Sequence, residues 1–111
     1  TMTVEQLINA AHLKVLCAPE PEKEVKGVYA GDLLSWVMGH GSCGNAWVTI
    51  MSNKNVIAVA SLLDFSCVIL AEGTVPDEEF MNTAKDKGVN ILSSDEGIYE
   101  ICSRLYTALG S

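Results

Sequence analysis

His40 and Cys43 stand three positions apart in the glycine-rich run G-H-G-S-C-G (39–44). A thiolate beside an imidazole is a nucleophile for acyl transfer when a pocket holds the two together. Such chemistry also needs a third group to orient the imidazole and donors for a developing oxyanion. Neither can be named in this chain, so a small enzyme using Cys43 and His40 is the remote reading, and no catalytic residue is assigned. As a phosphate loop the same run is poor: it lacks a lysine and leads into a predicted strand, whereas phosphate loops lead from strand to helix. No G-x-x-x-x-G-K-[ST] loop and no G-x-S-x-G elbow occur. Cys17, Cys43, Cys67 and Cys102 are never closer than 24 positions, which rules out the short spacings that chelate zinc or iron–sulfur clusters. No metal and no cofactor are expected.

Better candidates for binding are two polar turns expected to follow strand ends and open helices, Gly31-Asp32 and Ser52-Asn53-Lys54-Asn55. In open α/β sheets ligands collect at that edge, where helix N-terminal N–H groups face outward. Lys54 is the nearby positive charge, and Ser42 and Asn45 are taken as neighbours. The candidate ligand-binding set is therefore Gly31, Asp32, Ser42, Asn45, Ser52, Asn53, Lys54 and Asn55, for a small polar or anionic ligand. The plainer alternative is that Asp32, Ser52 and Asn53 only cap helices.

The elements that must position these residues centre on Ala46–Gly73. Trp47–Met51 and Cys67–Leu70 are apolar runs suited to strands covered on both faces, and Val56, Val59, Ala60 and Leu63 recur between them at helical spacing. Ahead of this unit, a Thr3-x-x-Gln6 capping box opens a helix with Val4, Leu7, Ile8 and Ala11 on one face. His12–Ala18 reads as a strand with His12 at its junction, and Pro19–Glu24 as a charged loop. Lys26–Gly31 reads as a second strand, and Asp32 as the cap of a helix with Leu33, Leu34, Val37 and Met38 in a stripe. After the unit, Thr74–Gly88 is a helix with Pro76 in its first turn and Phe80, Met81 and Ala84 inward. Val89–Leu92 is a strand, and Ser93-Ser94-Asp95 caps a last helix through Leu109. The order α-β-β-α-β-α-β-α-β-α predicts an α/β fold: one domain over 1–111, with a mostly parallel, mixed sheet of about five strands flanked by helices.

Charge and composition narrow the partners. Fourteen acidic against seven basic residues give −7, and no basic cluster exists to meet a phosphate backbone, so no nucleic acid is expected. No apolar run approaches the roughly 20 residues that span a bilayer, and the acidity disfavours an anionic membrane surface. No basic, apolar leader opens the chain, Thr1 before Met2 reads as an expression remnant, and the unpaired cysteines suit a reducing cytoplasm. Trp36 and Trp47 read as core or interface anchors.

The segments G-V-Y-A-G-D-L-L-S-W-V-M-G (27–39), A-W-V-T-I (46–50), N-V-I-A-V-A-S-L (55–62), C-V-I-L-A-E-G (67–73) and G-V-N-I-L-S-S-D (88–95) together resemble the DRTGG-type domain family. That family is similar to the N-terminal domain of HPr kinase/phosphorylase. The resemblance runs over about 13–109 and implies the same α/β fold. It implies no kinase activity, because the kinase works through a separate domain with a phosphate-binding loop, and the letters D-R-T-G-G do not occur here. The family is found fused to nucleotide-sensing CBS pairs or acyl-phosphate enzymes, which implies a regulatory module that binds a ligand or partner protein. The alternative is a structural homo-oligomer, a dimer for instance, with Trp36 and Met38 buried between chains.

Overall fold

The computed structural model describes residues 2–110. Thr1, read above as a remnant, and Ser111 lie outside the described residues. The elements are β1 (Met2–Thr3), α1 (Val4–Ala10), β2 (Lys14–Cys17), β3 (Glu24–Val25), β4 (Gly27–Ala30), α2 (Leu34–His40), β5 (Asn45–Thr49), α3 (Lys54–Leu62), β6 (Cys67–Leu70), α4 (Glu78–Lys87), β7 (Ile91–Ser93) and α5 (Ile98–Leu109).

The main sheet has five strands in the order β2-β7-β6-β5-β4. β4 to β7 are parallel, and β2 runs antiparallel beside β7. The first two predicted strands thus occupy opposite edges, because the Pro-containing 19–23 loop carries the chain across the sheet. The two-residue strands β1 and β3 pair antiparallel by themselves.

Each crossover from β4 to β7 moves one strand in the same direction, so right-handed connections put α2, α3 and α4 on one face. Alternation along the strands divides the core accordingly. Trp47, Val68, Leu70 and Ile91 pack with Val56, Ile57, Phe65 and Phe80 on that face. Val48, Cys67, Ile69 and Leu92 pack with Val4, Leu7, Ile101 and Leu105 of α1 and α5 on the other. Arg104 ties the second layer together, donating through Nε to the Ala11 carbonyl at 3.0 Å and pairing with Glu96.

Local rules account for most helix ends. The Thr3–Gln6 capping box forms in both directions, and Asp77 caps α4, accepting from Phe80 N at 2.8 Å. Pro76 therefore precedes the helix, which starts four residues later than Thr74. Gly88 ends it in the left-handed region at φ 69°, a conformation open to glycine at little strain.

Three expectations are corrected. α2 begins at Leu34 with Leu33 as its cap residue and no side-chain cap, since the Asp32 carboxylate is drawn instead to β5. Its stripe does not point inward as a whole: Val37 alone is buried, while Leu33 and Met38 are exposed. α5 begins at Ile98 with Gly97 at the cap position, not at Ser93-Ser94-Asp95. Ser93 belongs to β7, the Ser94 hydroxyl accepts from Glu96 N, and Asp95 pairs with Lys14.

Candidate ligand-binding site

Five of the eight candidate residues, Gly31, Asp32, Ser52, Asn53 and Lys54, stand where the chain leaves β4 or β5 or opens α3 at one edge of the sheet, and Asn55 marks where that edge meets a groove. Gly31 continues β4: its N–H donates to Val48 O at 3.1 Å, and its carbonyl accepts from the Trp47 indole at 2.9 Å. Asp32 Oδ1 then accepts from Thr49 Oγ1 at 2.7 Å and from Ile50 N at 3.0 Å. Thr49 is fully buried, and its hydroxyl oxygen accepts in turn from Met51 N at 3.2 Å. The carboxylate thus staples the turn after β4 to the turn after β5, which is why it does not cap α2.

Asn53 caps α3 as expected, its side chain accepting from Asn55 N at 2.9 Å, while Ser52 lies half-buried ahead of it and caps nothing. Lys54, at the first helical position, is exposed. A nine-residue helix with a cation at its N-terminus draws negative charge to this point. The strand order does not reverse among β4–β7, so the crevice that a reversal opens between strand ends is not formed. A ligand at this edge has to sit on the turns and on whatever concavity adjoins them.

That concavity is a groove of about 280 Å³ between α2 and α3, lined by Leu34, Met38, Asn55, Ala58, Val59 and Leu62. The volume is just under the ~300 Å³ at which small-molecule sites begin. Its walls are apolar, with Met38 49% and Leu62 71% exposed. Asn55 belongs both to the groove and to the polar turn, so the two form one continuous surface. The sequence reading missed Ala58 and Leu62. A signal was present: apolar residues in K-N-V-I-A-V-A-S-L surround α3 on more than one face, which is what a helix flanked by neighbours requires.

Ser42 and Asn45 do not join this set. They lie before and at the start of β5, where Asn45 Oδ1 accepts from Ser42 N at 2.9 Å and closes a turn. The length of β5, roughly 13 Å at 3.3 Å per residue, separates them from Thr49. The glycines of that loop serve chain packing. A Cβ on Gly41 would stand 2.5 Å from the Phe65 ring, and Gly44 takes φ 82° against the Lys26 side chain.

His40 and Cys43 are given different partners. The His40 ring stacks on Trp36, with centroids 4.5 Å apart and planes at 9°, and its Nδ1 meets Trp36 O at 2.9 Å. Cys43 Sγ donates to Asp64 Oδ2 at 3.5 Å, and Asp64 also takes Lys23 Nζ at 2.7 Å. The Lys23 hydrogen bond and charge hold the Asp64 carboxyl below its usual range. Among the described residues no hydrogen bond joins His40 to Cys43. Among the described residues no group of three or more His, Cys, Asp or Glu is placed to hold a metal, and no helix is long and apolar enough to cross a membrane.

The architecture is a three-layer α/β module with a mixed five-stranded sheet. Among solved structures it is shared with the CBS and DRTGG domains of the regulatory region of Clostridium perfringens pyrophosphatase, complexed with its activator diadenosine tetraphosphate. The TM-score is 0.74 at 13% identity, over 96% of this chain and 46% of that one. The likeness is one of fold, and the chain spans about half of that regulatory region. No family model matches the sequence, and no curated protein does.

Proposed function

We propose that this chain is a non-catalytic, DRTGG-type regulatory module that binds a small ligand with an anionic group and a flat, largely apolar body. The observation that carries this reading is the continuity at Asn55 between the polar start of α3 and the apolar α2–α3 groove. An anionic group would lie at Ser52–Lys54, and the body between Met38 and Leu62. Nucleotides combine these two parts, and the regulatory region that shares the fold was crystallised with a dinucleotide activator. Asp32, already accepting two hydrogen bonds, would hold the turn rather than meet the anion.

Titration of the protein with AMP, ATP, diadenosine tetraphosphate, acetyl phosphate and inorganic phosphate, followed by thermal unfolding, tests the reading. Binding at 100-fold over Kd stabilises the folded state by about 2.7 kcal/mol, a shift of several degrees for a chain of this size. Lys54→Glu should remove most of the shift for every anionic ligand. Met38→Asp should remove it for nucleotides only. No shift with any compound at millimolar concentration, or shifts unchanged in both variants, would refute the proposal.

A further inference from the structure

The two helices that wall the groove are anchored unequally. α3 sinks Val56, Ile57, Val59 and Ala60 into the core, and the Asn53 side chain caps its first turn. α2 has seven residues and buries Val37 alone. A helix that short does not persist in water by itself, so tertiary contacts have to hold it. Asp32 is bonded to Thr49 and Ile50, and among the described residues no other side chain caps the N–H groups that open α2.

Gly39 loosens α2 further. Glycine inside a helix is less favourable than alanine, because it gives up more backbone freedom on ordering. Packing does not call for it here: its φ is not positive, and a Cβ at Gly39 would meet no described atom within 4 Å. The points on either side of the helix are fixed. Asp32 ties the N-terminal approach to the end of β5, and Gly41 is pressed against the buried Phe65 ring, where a Cβ would stand 2.5 Å away. α2 therefore hangs between two anchors and is held along its length by one buried side chain.

Leu34 and Met38 of α2 form one wall of the groove, and Asn55, Ala58, Val59 and Leu62 of α3 form the other. With α3 set in the core, the width of the groove changes through α2. A segment with few buried apolar contacts opens locally at much less cost than the whole domain unfolds. We propose that α2 is a flap over the groove: it opens between its two anchors independently of the rest of the domain, and a ligand seated against Met38 and Leu62 holds it closed. The flap follows from how α2 is anchored, and its closure by a nucleotide rests on the binding function proposed for this groove. Trp36, 56% exposed and stacked on His40, moves with α2, so an occupied groove changes the outer surface of the domain.

Amide hydrogen exchange read residue by residue by NMR tests the inference. In the free protein the amides of Val37–Gly41 should exchange at least about 100-fold faster than those of Ala58–Leu62, once intrinsic rates are divided out. About 0.5 M urea should leave the α2 rates unchanged, because a local opening exposes little surface, and should speed those of α3. Gly39→Ala should slow the α2 amides roughly two- to fivefold and leave α3 as it was. AMP or diadenosine tetraphosphate should slow them by a factor that grows with concentration, about tenfold at ten times its Kd. Amides in α2 as protected as those in α3, α2 rates that rise with urea in step with α3, or no response to Gly39→Ala would overturn the flap whatever the nucleotides do. A nucleotide that raises Tm and leaves the α2 amides unprotected would overturn closure. An α2 that opens as expected, with neither nucleotide slowing it or raising Tm, refutes the ligand and supports the flap.

Discussion

Asn90→Ala should be among the more damaging single substitutions in this chain, although nothing in the local sequence marks the residue. Asn90 is 1% exposed, and its amide makes three hydrogen bonds. Oδ1 accepts from Glu20 N at 2.9 Å, and Nδ2 donates to Glu20 O at 2.7 Å and to Ser66 O at 2.9 Å. One side chain thereby holds the 19–23 loop and the start of β6 against β7. Glu20 is exposed, so water replaces most of what its two bonds contribute, leaving about 0.5 kcal/mol each. Ser66 is buried, and its carbonyl loses this donor where water does not reach, at about 1–2 kcal/mol. Before the small void left by the side chain is counted, the total is about 2–3 kcal/mol out of the 5–15 kcal/mol of an ordinary domain. Urea unfolding followed by tryptophan fluorescence reads this directly. At 1–2 kcal/mol per molar, the midpoint should fall by more than about 1 M with the slope unchanged. Asn90→Asp is the sharper control: it keeps the shape but turns the donor into a carboxylate facing two carbonyls, so it should be at least as harmful at neutral pH. A midpoint drop below about 0.3 M for alanine, or wild-type stability for aspartate, would refute the reasoning.

Two further outcomes are expected. The Asp64 carboxyl is held down by Lys23, so its folded pKa lies below its unfolded value near 3.9; the stabilisation is present above that value and is lost as pH falls through the folded pKa. Asp64→Asn should therefore lose less stability than wild type on acidification from pH 5 to pH 2, by less than about 1 kcal/mol because the pair is largely exposed, and matching urea midpoints at both pH values would count against it. Burial pushes the Cys67 thiol up to about 12 and raises Cys17 and Cys102 as well, whereas Cys43 is exposed. Iodoacetamide at pH 8 should modify Cys43 first and Cys67 only on unfolding, as read by peptide mass mapping; equal rates for the two in the native protein would contradict the placement of β6.

The sequence was most readable where a single element's own chemistry decides the outcome. The Thr3–Gln6 capping box, the Asn53 cap, the Gly88 terminator and the apolar runs of β5 and β6 depend on residues a few positions apart, and the alternation of strands with helices followed from their order. Asp32 shows where local rules stop. It has the chemistry of a helix cap and stands where one is needed, but a buried threonine hydroxyl 17 residues away competes for the same carboxylate oxygen, and only the pairing of β4 with β5 brings it there. Ser42 and Asn45 were grouped with Ser52–Asn55 by closeness in sequence, and an extended strand puts them at opposite ends of the sheet. His40 and Cys43 were paired for the same reason, and Trp36 and Asp64 take them apart. The groove between α2 and α3 and the open edge of β4 exist only once the crossovers are laid side by side, since each is made of surfaces that no single element contains. What the sequence alone determined was the set of elements and their polar turns. Which turns share an edge, which helix faces are left uncovered and which strand lacks a neighbour were decided by tertiary contacts between residues far apart in the chain.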